Sequence, residues 1–285
     1  MDYSERMNQL ATRIARFYGT HFPHPGHWRL VNLLVETLRL DPGGELKLRA
    51  QGLTWHLDPR DYVQKDLFWF GVKDRWEMGH LRELIDAASA PVCLDVGANF
   101  GYYSLLLAVH CRRGGRVFAF EPIPQTANRL MRNIDENGMS GTIQVKRVAL
   151  GATPGRASIV KVEGDTGKTF LSEPTESGET VPVTTLDRFV AEERLEKVDF
   201  IKLDVEGFEP SVVQGGMESL KRWHPLLFME LNPSTLQRRG FTAEALLSDL
   251  RALGYRFLVA RRWQLVPLRE LPGKGDVMNV FCVHP

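Results

Sequence analysis

Apolar residues recur along this chain with two different periods, and the change of period marks a change of architecture. Between Ser4 and Tyr18, Met7, Leu10, Ile14 and Phe17 fall at helical spacing and predict an amphipathic helix. HFPHPGH interrupts the pattern with two prolines. A second helix is expected over Trp28 to Leu40, stopped by DPGG. ELKLRAQGLTWHLDP reads as two short strands about a glycine turn, and Arg75 to Ala88 as another helix. In an extended LFWF segment, Phe68 and Phe70 would share one face and Trp69 the other, as core under a lid or as an aromatic wall for an acceptor.

From Pro91 onward, short apolar runs alternate with amphipathic ones. PVCLDV, RVFAFEP, IQVKRVAL, VDFIKLDV and LLFMEL read as strands. GYYSLLLAVHC, PQTANRLMRNIDENG, FEPSVVQGGMESLKRW and TAEALLSDLRALG read as helices. That alternation predicts a parallel sheet with helices on both faces, which suits strands apolar throughout. YRFLVA and NVFCVHP close the chain with no helix between them, so one of these strands should run antiparallel. Residues 151 to 179, rich in Gly, Thr, Ser and Glu, form an excursion with a short strand at ASIVKV. The expected organisation is an N-terminal helical and hairpin extension over 1–85 (lid, platform or oligomerisation element) and a catalytic domain over 86–285.

Composition narrows the partners. The 285 residues are 43% hydrophobic and 25% charged, and 36 basic residues balance 35 acidic ones to a net charge of +1. No global field recruits nucleic acid or an anionic membrane, which leaves a small molecule or a protein. Cys93, Cys111 and Cys282 lie in apolar runs and read as buried free thiols of a reducing compartment. The first residues lack the apolar core of a secretory signal, and no apolar run is long enough to span a membrane. A cytoplasmic location is expected.

The candidate chemistry lies in VCLDVGANFGYYSLLLA. Gly97 and Gly101 fall between the first strand of the alternating region and its helix, where ligands of open α/β sheets bind. Glycine there lets backbone N–H groups approach a ligand. Glu121 ends the next strand, about 20 residues beyond Gly101, where an acid accepts hydrogen bonds from ribose hydroxyls. An adenosine-like group is therefore expected. A dinucleotide site would carry G-x-G-x-x-G; here Asp95 precedes the turn and the middle glycine is absent. An acid at Asp95 repels phosphate but suits an ammonium or water near the methionine part of S-adenosylmethionine.

With these pieces in order, the chain resembles the FkbM family of S-adenosylmethionine-dependent methyltransferases. The resemblance rests on LDVGANFGYYS (94–104), FEP (120–122), VALG (148–151), VTTLDRF (183–189), IKLDVEGFE (201–209) and MELNP (229–233). It implies a Rossmann-like class I methyltransferase fold: a seven-stranded, mostly parallel sheet with an antiparallel C-terminal hairpin. It also implies a cofactor loop at Asp95, Gly97, Asn99 and Gly101, with Ser104 in the first helical turn and Glu121 on the ribose. Pro122, Ile123, Val148 and Ala149 would flank the adenine. Asp204 and Glu206 would lie beside the methyl group, and Glu77, in the lead-in DPRDYVQKDLFWFGVKDRWE, would join the cofactor residues.

Methyl transfer to a hydroxyl is an in-line displacement that also removes a proton. Asp204, Glu206 and Glu209 are candidate carboxylates for that step. Lys202 shares a strand face with Asp204, and its place in an apolar strand demands a carboxylate partner. Glu230 and Asn232 end the fifth strand and with Asp204 offer three oxygens. A magnesium ion there is a lesser alternative to a polar acceptor pocket. His21, His24 and His27 are separated by prolines and suit a solvated linker better than a metal site. The expected activity is O-methylation of a sugar, glycan or natural product, with S-adenosylhomocysteine as by-product. An N-methyltransferase, a NAD-dependent oxidoreductase and a non-catalytic nucleoside-binding module stay open as alternatives. The N-terminal helix is expected to pack on the core rather than pair with a second subunit or touch a membrane, since its basic residues are few.

Overall fold

The computed structural model describes residues 3–86, 89–111, 114–161, 169–172 and 179–285. The chain divides near Arg75 into a smaller N-terminal unit and a larger unit that starts at Trp76. The helix that begins at Arg75, placed by sequence in the extension, therefore goes largely with the larger unit. Residues 87 and 88, to which it was expected to run, lie outside the described residues, as do 162–168 and 173–178 of the excursion expected over 151–179.

The N-terminal unit holds helices α1 (Tyr3–His21), α2 (His27–Thr37) and α3 (Lys65–Phe70) and an antiparallel hairpin of β1 (Leu46–Ala50) and β2 (Leu53–Leu57). Gln51 and Gly52 both take positive φ (53° and 77°) in the two-residue turn. That is the backbone whose twist matches the flanking strands. LFWF is helical rather than extended, and Leu67, Phe68, Trp69 and Phe70 are all buried. Four adjacent apolar residues suit a short helix inside a small core as well as a strand, and periodicity cannot separate the two. Helix α1 reverses the expected packing. Its small residues Thr12, Ala15 and Gly19 face inward, and Arg16 Nε donates to the Phe68 carbonyl at 3.1 Å. Met7, Leu10, Ile14 and Phe17 remain 47–60% exposed.

The larger unit is an α/β layer structure. Its elements are α4 (Arg75–Asp86), β3 (Val92–Val96), α5 (Tyr102–His110), β4 (Arg116–Phe120), α6 (Pro124–Glu136), β5 (Ile143–Lys146) and β6 (Ala149–Leu150). After them come β7 (Gly155–Lys161), β8 (Thr169–Ser172), β9 (Thr180–Thr184), α7 (Leu186–Glu192), β10 (Phe200–Leu203), α8 (Glu209–Gln214) and α9 (Met217–Trp223). The chain continues through β11 (Leu226–Leu231), α10 (Pro233–Arg238), α11 (Ala243–Ala252), β12 (Arg256–Arg261), β13 (Gln264–Pro267) and β14 (Met278–Val283). The main sheet has the order β13-β12-β14-β11-β10-β3-β4-β5. Strands β11, β10, β3, β4 and β5 are parallel, and β14 runs antiparallel to both β11 and β12. The expected seven strands are present. An eighth, β13, adds an outer hairpin with β12.

Alternation sorts the sheet into two faces. Leu94, Ile201, Leu227 and Cys282 stand in register on one face, in a core shared with Leu186, Phe189, Val213, Leu220 and Leu247 of the covering helices. Asp95, Lys202, Phe228 and Phe281 stand in register on the other. Cys93, Cys111 and Cys282 are buried and free, with the Cys93 and Cys111 sulfurs 3.9 Å apart.

Two sequence expectations divide in the structure. IQVKRVAL is two strands: β5 edges the main sheet, whereas β6 pairs with β9 in a four-stranded sheet of order β6-β9-β7-β8. FEPSVVQGGMESLKRW is two helices broken at Gly215–Gly216. A Cβ on Gly215 would stand 2.0 Å from the Gly151 carbonyl oxygen, and one on Gly216 would stand 2.5 Å from the Leu186 side chain. The break is a backbone-to-backbone contact that only glycine permits. Gly215→Ala should therefore destabilise the protein by about 2–3 kcal/mol, read as a lower urea midpoint at unchanged slope.

Candidate active site

Three strand ends converge at the carboxyl edge of the sheet. The loop after β3 is folded by left-handed residues at Gly97 (φ 84°), Asn99 (φ 50°) and Gly101 (φ 98°). Gly97 and Ala98 donate their N–H groups to the Phe120 carbonyl at 3.1 and 3.0 Å, tying the loop to the end of β4. The buried Asn133 amide of α6 donates to the Phe100 carbonyl at 2.8 Å. A Cβ on Gly97 would lie 1.9 Å from the Asp204 carbonyl oxygen. The fold itself thus requires glycine there: the loop lies directly against the end of β10. Gly101 is similarly confined, by Leu130 and Leu105.

Glu121 ends β4 and is almost wholly buried. Its carboxylate accepts from the backbone N–H of Asn99 and of Ile123, each at 2.9 Å. Burial pushes its pKa up to about 7, and the two N–H bonds oppose that rise. Each carboxylate oxygen spends one of two lone pairs on these bonds and keeps one for a ligand hydroxyl. Pro122 and Ile123 follow half-buried, with Ile123 preceding α6. Val148 and Ala149 lie at the start of β6, Ala149 in register with Val183. Glu77 sits in the first turn of α4.

One register position inward stands a row of charges. Asp95 is fully buried and accepts a hydrogen bond from Ser104 Oγ at 2.5 Å; its Oδ1 has no hydrogen-bond partner among the described residues. Ser104, in the first turn of α5, is also fully buried. Lys202 pairs in register with Asp95 and is 1% exposed. Its ammonium lies 3.3 Å from Asp204 Oδ2 and 5.0 and 5.2 Å from the ring centres of Tyr103 and Phe228. The lysine thus has the carboxylate partner that its apolar strand demands, together with two aromatic faces. Burial raises the Asp95 pKa to about 6, while Ser104 and then Lys202 pull it down.

Beyond β10, Glu206 takes a left-handed φ of 54°. Glu209 is buried, and its Oε1 accepts from the N–H groups of Val205 and Gly207 at 3.0 and 3.2 Å. It clasps the loop that presents Asp204 and Glu206. Glu230 of β11 stands in register with Asn279 of β14. Asn232 is committed elsewhere: its Oδ1 caps α10 through Ser234 N and Thr235 N at 3.1 and 3.3 Å. One of the three oxygens expected at Asp204, Glu230 and Asn232 is thus committed to a helix cap. The described residues contain no cluster of three His, Cys, Asp or Glu that would hold a metal. His21 ends α1 and His27 begins α2; His24 Nε2 meets the Tyr18 hydroxyl at 2.5 Å.

Sequence reasoning missed Tyr103, Phe228 and Asn279. All three are set by which strands and helices are neighbours, and only the alternation within each strand hinted at their faces.

This geometry coincides with a known family. The model of the methyltransferase FkbM domain matches residues 95–257, more than half of the chain, and the chain belongs to that family. It is 31% identical over 148 residues to the hexuronic acid methyltransferase AglP of Haloferax volcanii, a match covering 52% of this chain and 59% of that protein. It is 30% identical over 177 residues to the 2-O-methyltransferase NoeI of Sinorhizobium fredii, covering 56% of this chain and 71% of that one. The chain thus spans about three fifths of AglP and more of NoeI. The crystal structure of the methyltransferase FkbM from Methylobacillus flagellatus KT aligns with TM-score 0.43 at 15% identity, covering 99% of this chain and 60% of that one.

The clasp has a pH signature. The folded Glu209 pKa is raised from 4.5 to about 7 by burial, so the unfolded chain ionises first as pH rises. Its favourable contribution is complete below about 4.5 and is lost as pH climbs through 7. Glu209→Gln has no such loss. Relative to the variant, wild type should lose about 3 kcal/mol between these limits and change no further above them, measured by urea unfolding across pH.

Proposed function

We propose that this chain is an S-adenosylmethionine-dependent methyltransferase acting on a hydroxyl oxygen of a sugar, glycan or other natural-product acceptor. The observation that carries this reading is the meeting, at one sheet edge, of a ribose-type acid at the end of β4 with the Asp95–Lys202–Asp204 row beside it. Family membership supports methyl transfer, the name of AglP, a hexuronic acid methyltransferase, supports a sugar acceptor, and that of NoeI, a 2-O-methyltransferase, supports an oxygen one.

S-adenosylmethionine supplies an electrophilic methyl group when bound. Glu121 would accept from the ribose hydroxyls with its remaining lone pairs, held in place by Asn99 and Ile123. The folded loop of Gly97, Asn99 and Gly101 would present main chain to the same ligand. Pro122, Ile123, Val148 and Ala149 would border the adenine, and Glu77 would complete the cofactor group. Asp95, oriented by Ser104, would face the ammonium end with its uncommitted oxygen. Lys202 holds Asp204 through an ion pair, and Asp204 would receive the acceptor proton, with Glu206 and Glu230 orienting that hydroxyl. Magnesium has no part in this reading, since Asn232 is a helix cap and Asp204 is paired with Lys202.

The described residues contain no helix long and apolar enough to cross a membrane. Buried free thiols suit the reducing cytoplasm, and a net charge of +1 gives nucleic acid no broad purchase. The outward stripe of α1 supports a homo-oligomer formed through the N-terminal helices. If so, Ile14→Glu should shift the species seen by light scattering toward monomer; an unchanged mass would exclude this stripe as the contact.

Calorimetric titration of S-adenosylhomocysteine tests the cofactor assignment. One-to-one binding is expected, weakened by about 1.5–3 kcal/mol in Glu121→Ala. Glu206→Gln should bind like wild type and turn over more slowly with an accepted sugar. Equal binding by wild type and Glu121→Ala would remove Glu121 from the site.

A further inference from the structure

Trp263 is 83% exposed, the most exposed large apolar side chain among the described residues. It lies in the two-residue turn Arg262–Trp263 between β12 and β13, since Arg261 pairs with Gln264. Such turns ordinarily carry Asn-Gly or a similar pair, because they need positive φ. Here a non-glycine residue, Arg262, takes φ 50°. A turn built against its local preference and tipped with an exposed indole points to a role beyond reversing the chain. Trp76, in the first turn of α4 and 38% exposed, meets Trp263 edge to face with ring centres 5.0 Å apart. Arg261 and Arg262 are both exposed, and neither forms an ion pair with a described residue.

The place of this cluster follows from the topology. Strands β11 and β12 are both antiparallel to β14, so they point the same way. The β12–β13 turn therefore emerges at the edge that carries Glu121, Asp204 and Glu230. Only β14 separates β12 from β11, two strand spacings or about 10 Å.

We propose that Trp76, Trp263, Arg261 and Arg262 form a binding platform for an anionic saccharide, the part of the acceptor that lies beyond the methylated unit. The proposal rests on the methyl-transfer reading above. The apolar C–H face of a pyranose covers an indole while its hydroxyls stay in water. Two exposed arginines within two residues of that indole in sequence, neither paired with a described carboxylate, favour a sugar bearing carboxylates, which each can grip through two parallel N–H bonds. The platform would hold the chain of the acceptor, and the carboxylates at the ends of β10 and β11 would meet the hydroxyl.

The test uses the whole protein with trigalacturonate, neutral maltotriose and a dT hexanucleotide as probes, each titrated at low salt by calorimetry. Trigalacturonate should bind at least tenfold more tightly than maltotriose. Trp263→Ala should abolish measurable binding of both sugars, and Arg261→Gln with Arg262→Gln should erase the preference for the charged one. Undiminished trigalacturonate binding in Trp263→Ala, equal wild-type affinity for both sugars, or tighter binding of the oligonucleotide would overturn the proposal. S-adenosylhomocysteine titrated into the same samples separates the two readings. If it fails to bind wild type while the sugar results hold, the methyl-transfer reading falls and the saccharide platform stands. If it binds wild type and Trp263→Ala alike while the sugars fail, the platform alone falls.

Discussion

The structure depends on keeping one ammonium group dry. Lys202 sits in the central strand of a sheet covered on both faces, where an unpaired charge would be costly. The fold surrounds it with Asp204, the Asp95 strand neighbour and the faces of Tyr103 and Phe228. Each of these comes from a different element, so the charge is compensated only when β3, α5, β10 and β11 are all in place. Ser104 belongs to the same arrangement, because it satisfies one oxygen of Asp95 from the first turn of α5. The result is a row of charges at the sheet edge in which Asp95, its pKa raised to about 6 by burial, is governed by the interior of the protein rather than by solvent.

The loops at the sheet edge are tied down by contacts of a related kind. Gly97 lies against the Asp204 carbonyl, Glu121 bonds two backbone N–H groups, and Glu209 bonds two more. The loop after β3 is thereby fastened to the ends of β4 and β10, and the loop after β10 is clasped by the start of α8. A site assembled in this way needs little rearrangement to hold a flat, polar ligand, and less ordering entropy is lost on binding.

Much of this was legible in the sequence. The alternation of strands and helices, the antiparallel finish and the acids Asp95 and Glu121 at the ends of adjacent strands all follow from local pattern. So does the need of Lys202 for a partner, since an interior lysine carries its own demand. What local pattern missed depends on neighbours distant in the chain. IQVKRVAL is apolar enough for one strand, but Val148 stands where the chain leaves one sheet for another. The break at Gly215 answers to the Gly151 carbonyl, more than sixty residues away in sequence. Asn232 looked like a ligand oxygen because its role as a helix cap appears only when α10 is seen to start beside it. Helix α1 was the sharpest reversal. Its apolar stripe was periodic as expected, yet the buried side proved to be the one lined with Thr12, Ala15 and Gly19.

The position of β14 bears on how the molecule assembles. Strands β12 and β13 precede it in the chain but join the rest of the sheet only through it. Until Met278–Val283 is inserted, β11 remains an open edge and the β12–β13 hairpin has no partner. The pairing of β14 with β11 spans some fifty residues of sequence, a slow, non-local step. Nascent chains paused before that segment would expose an apolar strand edge, the kind of surface that holdase chaperones capture and that otherwise pairs with another chain.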